Sequence, residues 1–449
     1  MRPGGAEAPN DTAAARAVRA FRNDLEGAFV SRPNRFIVIA DTEEGRIRAH
    51  CPNPGRLTEL LIPGRRLIFE RRDGGAADAG PGGRGADGSA DGAGDGGSVG
   101  VGDAAAGAGV GRDADEAATG ADGTPTTYGR RTQRTQRTRY TLVGGYYQGQ
   151  ALSLYSARAN QIARKLVLPA LFPDTRDVRA EPRHEGGRFD FAVETPSGRH
   201  LVEVKACTLI HNGVGMFPDA VSTRASRHLQ ELAEVGGNGH IVFVIMRPAA
   251  ERFVPDLHTD PVFAQTLREI SGRVHLHAVS VACTPDGCVT VAEPSVPVDL
   301  SPVRLVDADA GAYLLVIHRS TATRREVGSL GELELPAGYY VYVGSGRRNL
   351  TARVKRHLRR RKRIHWHVDH LTLDADKVTA HPIFTDRDIE CDLAGRIRAV
   401  AAAEDGTVIS GFGSSDCTCP GHLVHLPRDP LRTEGFVEAL LDYRMNAVK

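Results

Sequence analysis

The sequence has no apolar run long enough to span a membrane, and residues 1–18 lack the continuous apolar stretch of a secretory signal. Those absences argue against a membrane protein and lead to the expectation of a cytoplasmic one. Cysteine is sparse and unpaired in pattern. Cys51, Cys207, Cys283, Cys288, Cys391, Cys417 and Cys419 are scattered and odd in number, which argues against a secreted disulfide framework. The net charge is only +2 at pH 7, so no partner follows from the total. No internal repeat is visible, and nothing in the pattern fixes an oligomeric state.

What is present is a chain of 449 residues with 41% apolar composition, enough for about two to four folding units. Residues 1 to about 24 read as a loose leader ending in a short helix. Short β-type runs at 36–40, 46–50 and 66–70, separated by Asn-Pro-Gly and Pro-Gly turns, predict a small barrel within 25–155. Residues 73–127 are mostly Gly, Ala and Asp with almost no large apolar side chain, so they predict a disordered acidic insert. A basic run from Arg130 to Arg139 follows it.

A second unit, 156–295, reads as helix (ANQIARKLVLPALF), strand (RFDFAVE), strand (HLVEVKACTL), helix (225–235) and the continuous apolar strand HIVFVIM at 240–246. A helix near 261–271 and the strand VHLHAVSVAC complete it. A third unit, 308–430, opens with AGAYLLVIH and LPAGYYVYVGSG, then a basic helix NLTARVKRHLRRRKRIHWH. The segment 431–449 reads as a terminal helix. The fold class expected is multidomain, α/β and β.

Asp190 lies within RFDFAV, while Glu203 and Lys205 alternate with Val202 and Val204 in the next strand. Period-two geometry puts Glu203 and Lys205 on one face, and the intervening turn can bring Asp190 beside them. Two carboxylates held together repel, and a hard divalent cation relieves that repulsion; Mg²⁺ is the expected ion, with Mn²⁺ as alternative. Such a cation polarises a phosphodiester and acidifies water, while Lys205 positions that water or offsets developing charge. An exposed salt-bridged hairpin would account for the same residues. The flanking helices and the apolar strand favour a central position, where unpaired charge is costly.

Basic residues suggest a polyanionic partner. Arg32, Asn34, Arg35, His50, Asn53 and Arg56 fall at strand ends and turns, with Phe36 available to stack on a base. Turn chemistry alone also explains Asn53-Pro54-Gly55. Arg353, Lys355, Arg356, Arg359, Arg360, Arg361, Lys362 and Arg363 would cover more than one face of a helix, a costly arrangement unless phosphate neutralises it. DNA is the expected partner and RNA the alternative. Cys391, Cys417, Cys419 and His422 offer four soft ligands for Zn²⁺, although free cysteines beside a glycine loop would look the same. His365 and His367 suit phosphate contact or packing before metal.

Asp190 with Glu203-Val204-Lys205 resembles the PD-(D/E)XK nuclease pattern, with Phe189 where that pattern has proline. The resemblance implies metal binding by Asp190 and Glu203, completed by Glu181, and catalysis with Lys205. FVSRPNRF, AHCPNPGRLTELLIPG, ARANQIA, LVEVKACTL and FPDAVSTRASRHLQEL together resemble the sugar fermentation stimulation protein family over roughly residues 20–290. That likeness implies an OB-like N-terminal domain, a PD-(D/E)XK-like second domain, DNA binding and a link to regulation of sugar fermentation. Gly187-Arg188 and Ser222-Thr223-Arg224-Ala225 depart from the family pattern without touching a proposed ligand, and the acidic insert has no counterpart in it.

Tyr313 in GAYLL, Tyr340 and Tyr342 in GYYVYVGSG, and the FGSSDCTCPGHL segment resemble a GIY-YIG-like domain of the uncharacterised DUF123 group over about 308–430. On that likeness Tyr313, Tyr342 or Tyr340, and Arg353 would act on the phosphate and Glu390 would bind metal. The first motif reads Gly-Ala-Tyr here. The function expected is DNA binding with Mg²⁺-dependent phosphodiester hydrolysis. Its rivals are a non-enzymatic DNA-binding regulator of sugar metabolism and an RNA-binding or RNA-processing protein.

Overall fold

The computed structural model describes residues 17–72, 138–184 and 187–449. The acidic insert expected at 73–127, residues 130–137 of the basic run and residues 1–16 of the leader lie outside the described residues.

Short strands that cannot each bury a face alone close into a barrel. Gly45–His50, Ile37–Thr42, Leu25–Asn34, Arg66–Arg71 and Tyr140–Tyr147 follow one another in hydrogen-bonded order, and Gly45–His50 pairs back onto Tyr140–Tyr147 to complete the ring. Gln150–Ser153 extends the sheet beyond it. Phe29, Val38, Phe69 and Leu142 fill the interior. Gly27 is needed where two strands cross closely, because a Cβ there would stand 2.5 Å from the Thr42 methyl and 2.7 Å from the Asp41 carbonyl. This is an OB-like barrel.

The central sheet has seven strands, in the order Val18–Arg19, Cys288–Glu293, His275–Cys283, Gly239–Ile245, Gly198–Cys207, Phe191–Thr195 and Asp177–Ala180. The three middle strands run parallel. Every residue of Gly239–Ile245 is buried, as its unbroken apolar sequence requires of a strand covered on both faces. Val202, Val204, Val242 and Val244 face the helical segment Arg158–Leu171, while Leu201, Ile241, Phe243 and Ile245 face the helices Thr223–Ala233 and Pro261–Ile270. Ser222 and Asp260 cap those two helices by accepting the Ala225 and Phe263 amides. At the sheet edge residues 17–24, where a short helix is expected, form none. Val18 and Phe21 are buried, and the backbone is tied to the sheet by Ala20 N–H to Gly287 O, so local helix formation loses to strand addition.

The C-terminal sheet is antiparallel, ordered Lys377–Phe384, Gly311–Arg319, Gly338–Gly346, Leu423–Leu426 and Thr407–Ile409. Helices Leu350–His357, Glu390–Ala403 and Glu434–Ala447 accompany it. The basic helix therefore stops at His357, well short of the expected 349–367. Continuing it would stack Arg356, Arg359, Arg360 and Arg363 at like-charge spacings. Leaving the helix instead lets Arg356 and Lys362 converge on Asp369. The last helix also joins this sheet to a three-stranded sheet, Leu209–His211, Val214–Phe217 and Arg252–Pro255, and to the turn that follows it: Asp442 accepts from His211 at 2.7 Å, and His258 bonds the Arg444 carbonyl at 3.0 Å. Among the described residues no helix is long and apolar enough to cross a membrane.

Candidate functional site

The antiparallel register sets Phe191 opposite Val202, so Asp190 falls beside Glu203 at the next position. The Val204 N–H donates to Asp190 Oδ2 at 2.8 Å and Asn160 Nδ2 donates to Oδ1 at 2.7 Å. Lys205 Nζ donates to Glu203 Oε1 at 2.5 Å, and His228 reaches the same oxygen through Nδ1 at 2.8 Å. Arg224 Nε donates to His228 Nε2 at 3.4 Å. A guanidinium can only donate, so Nε2 accepts and the ring proton sits on Nδ1, facing the carboxylate.

Glu203 and His228 are buried. Burial, then the charge of Glu203, pushes the Asp190 carboxyl above its ordinary pKa. Burial pushes Glu203 the same way, but the bonds from His228 and Lys205 overcome it and hold Glu203 below its usual value. The pair is thus electrostatically divided, with Glu203 the committed anion.

Asn160, Arg224 and His228 were not singled out from sequence, although all three lie in segments that carry the family likeness. The usable signal was His228 on the buried face of its helix, between Ala225, Leu229 and Leu232. Glu181 is not gathered into this site. Its backbone turns at φ +51°, and its exposed carboxylate pairs with Arg188 at 2.7 Å. Among the described residues, Glu181, Asp190 and Glu203 do not form a set of converging metal ligands.

A second polar site lies in the C-terminal sheet, where a cavity of about 370 Å³ is lined by Tyr313, Tyr342, Ser345, Arg353, His365, Trp366, His367, Glu390, Gly413, Ser415 and Asp416. Tyr313 stands opposite Gly344, where a Cβ would sit 2.5 Å from its hydroxyl; only glycine leaves the ring room. The Tyr313 and Tyr342 ring centroids are 6.3 Å apart, and the Tyr313 hydroxyl bonds His357 Nε2 at 3.0 Å. Burial pushes both phenols above their ordinary pKa, so at neutral pH they are hydrogen-bond donors. Arg353 donates to the Ser345 carbonyl at 2.9 Å and lies over Trp366. Glu390 accepts from Ser345 Oγ and, at 3.2 Å, from His422 Nδ1. Tyr340 is excluded from the cavity: its hydroxyl donates to the Pro336 carbonyl at 2.6 Å.

Behind this cavity, ligand atoms of Cys391, Cys417, Cys419 and His422 all lie within 4.8 Å of one another. These donors are soft, unlike the oxygens of the acid pair.

The basic residues divide into two groups. Arg32 is not a free phosphate ligand: its guanidinium donates to the carbonyls of Gly55, Arg56, Arg35 and Asn53, clamping two loops. Arg356 is likewise committed, to both oxygens of buried Asp369 at 2.9 and 2.8 Å. Lys362, 3% exposed, bonds Thr372, the His357 carbonyl and Asp369. By contrast Arg35, Arg56, Arg359 and Arg360 are exposed, and Arg35 stacks over exposed Phe36 at 4.6 Å. Arg35 and Arg56 line a groove of about 450 Å³ together with Lys377 and Arg432.

An OB-like barrel, a mixed sheet with an acid pair and an antiparallel sheet with a tyrosine cavity make a three-part chain. Its parts match three family models: the SfsA N-terminal OB domain at residues 30–79, the sugar fermentation stimulation protein RE domain at 157–287, and domain of unknown function DUF123 at 312–443. A sugar fermentation stimulation protein homolog of Pyrobaculum neutrophilum is 30% identical over 62% of this chain and 94% of its own length. The homolog of Clostridium beijerinckii is 24% identical over 59% of this chain and 93% of its own. A solved structure, Pyrococcus furiosus SfsA in complex with Ca²⁺, aligns with 63% of this chain and 99% of its own at 23% identity, with a TM-score of 0.45. The chain belongs to the sugar fermentation stimulation protein family, with a DUF123 domain at its C-terminal end.

Proposed function

We propose that the chain binds nucleic acid, DNA before RNA, and hydrolyses phosphodiester bonds at Asp190, Glu203 and Lys205 in a PD-(D/E)XK-like site that takes Mg²⁺, or Mn²⁺ in its place. The observation that carries this reading is the half-buried Asp190 beside Glu203 on the neighbouring strand, its carboxyl destabilised as an anion by partial burial and then by that neighbour. A pair of hard oxygen donors whose mutual repulsion still raises Asp190 fits a divalent cation, which supplies Lewis acidity and acidified water when bound. Asn160 and the Val204 amide hold Asp190 in one orientation. His228 keeps Glu203 ionised, and Lys205 offsets charge that develops on the phosphate. Exposed Arg35 with Phe36, Arg56, Arg359 and Arg360 bind the backbone and stack a base.

The tyrosine cavity supports a second phosphodiester site, GIY-YIG-like, because Tyr313, Tyr342, Arg353 and Glu390 share one polar concavity. There Arg353 would hold the phosphate and the phenols would donate to its oxygens. One observation favours a non-enzymatic DNA-binding regulator of sugar metabolism instead: Glu203 Oε1 is already shared by Lys205 and His228.

The test is cleavage of labelled single- and double-stranded DNA and RNA, with and without Mg²⁺ or Mn²⁺, by the unaltered chain and by Asp190→Ala and Tyr313→Phe. Metal-dependent cleavage lost in Asp190→Ala and kept in Tyr313→Phe is the expected result. Intact binding with no cleavage of any substrate by the unaltered chain would replace hydrolysis by the regulator reading.

A further inference from the structure

We propose that Cys391, Cys417, Cys419 and His422 bind one structural Zn²⁺, and that this ion holds the segment walling the tyrosine cavity. The three thiols and the imidazole come from two separate places. Cys391 sits in the first turn of Glu390–Ala403, and the other three ligands lie between Thr407–Ile409 and Leu423–Leu426. Their ligand atoms nevertheless gather within 4.8 Å, with His422 Nε2 3.5 Å from Cys417 Sγ and 3.9 Å from Cys391 Sγ. Zinc–sulfur and zinc–nitrogen bonds of about 2.3 and 2.0 Å in a tetrahedron need ligand atoms roughly 3.5–3.8 Å apart, so a contraction of at most about 1 Å completes the shell.

The second, independent observation is the state of His422. Its side chain is buried, and its Nδ1 donates to Glu390 Oε1 at 3.2 Å. That bond fixes the ring proton on Nδ1 and leaves the Nε2 lone pair aimed at the three sulfurs. A carboxylate behind a metal-bound histidine is the usual outer partner of zinc. Three thiolates and one imidazole favour zinc among the divalent ions, and four protein ligands close the shell, as in a structural site.

The consequence for the cavity follows from the loop. Residues 410–422 form neither helix nor strand, and their base is pinned by Gly411 N–H to Pro420 O and His422 N–H to Phe412 O. Between those pins, Gly413 presses on Tyr342, where a Cβ would come within 2.8 Å of the ring. Gly413, Ser415 and Asp416 form that wall of the cavity, and Cys417 follows directly. An ion on Cys417 and Cys419 therefore fixes the wall, and through His422 it orients Glu390 toward Ser345.

The test needs no cleavage assay, so it stands or falls apart from the reading above. The full chain is purified without chelator and its metal content measured; Zn²⁺ is then stripped and Co²⁺ added. Trp366, the single tryptophan of the chain, lines the cavity and reports the wall by its emission. One zinc per chain, a cobalt spectrum with thiolate charge-transfer bands and tetrahedral d–d bands, and a Trp366 emission shift on stripping that Zn²⁺ reverses are expected. Cys417→Ser and Cys419→Ser lose the zinc, whereas Cys283→Ser keeps it. Glu390→Gln retains the site with affinity reduced about 10–100-fold. A chain purified without zinc that gives no tetrahedral cobalt spectrum overturns the site. Trp366 emission unmoved by stripping overturns the coupling to the wall.

Discussion

His228 donates its Nδ1–H to Glu203 Oε1 at 2.8 Å, and both side chains are buried. Burial alone would push Glu203 toward its neutral form; His228 and Lys205 reverse that. His228→Ala is therefore expected to raise the Glu203 pKa and move the acid limb of metal-dependent cleavage to higher pH. Metal affinity should fall about 10–100-fold, the usual cost of removing such a supporting group. A pH–rate profile with a Mg²⁺ titration checks both. An unchanged acid limb would remove His228 from any positioning role.

Asp369 has a fully buried side chain and is met by Arg356, Lys362 and the amides of His365 and Trp366. Burial pushes its carboxyl up, but these partners, with His357, hold it far below the usual range. Asp369→Asn leaves two cations beside a neutral group, and breaking a buried ion pair on one side costs roughly 3–5 kcal/mol. Denaturant unfolding of the variant measures the loss. A change within the error of the unaltered chain would show that the cluster is solvated.

Sequence pattern made the acid pair legible because strands alternate with period two, so Glu203 and Lys205 had to share a face. It made Gly239–Ile245 legible because an unbroken apolar run of that length suits only a doubly covered strand. Residues whose role depends on a distant partner were not legible. His228 and Asn160 read as ordinary helix positions until Glu203 is placed against the first and Asp190 against the second. The run from Arg353 to Arg363 reads as one charged helix because nothing local announces Asp369. Nothing local announces that Glu181 pairs with Arg188, and Val18–Arg19 is too short for any periodicity.

Four histidines form a chain at one end of the central sheet. His200 Nδ1 bonds His240 Nε2 at 3.0 Å, and His240 Nδ1 bonds His277 Nε2 at 3.1 Å, with His275 stacked on His240. Burial, then the neighbouring histidines, lowers His240 to about 3 and His277 to about 4. The unfolded chain binds these protons near pH 6.5, and the folded one does not. The associated stability is thus fully present above about pH 6.5 and is lost as pH falls through the folded values. Thermal midpoints should drop as pH falls from about 7 to about 5, and His240→Gln should flatten that slope. A pH-independent midpoint across this window would contradict it.

Exposed and committed arginines should separate in a binding experiment. Arg359 and Arg360 lie beyond the end of Leu350–His357 on the surface, where a phosphate can reach them. Each phosphate contact releases counterions, so log Kd depends on log salt with a slope of about 0.9 per contact on duplex DNA. Arg359→Ala and Arg360→Ala are each expected to reduce that slope by about 1, weakening binding evenly across sequences without altering the unfolding midpoint. Arg356→Ala and Arg32→Ala should behave in the opposite way. Arg356 balances Asp369, and Arg32 holds four carbonyls, so their loss destabilises the fold and leaves the salt slope largely intact. Anisotropy titrations of labelled duplex at several salt concentrations, paired with thermal unfolding, distinguish the groups. Equal slopes for Arg359→Ala, Arg360→Ala and the unaltered chain would move the nucleic-acid surface off this end of the C-terminal sheet and onto the groove where Arg35 and Arg56 meet Lys377 and Arg432.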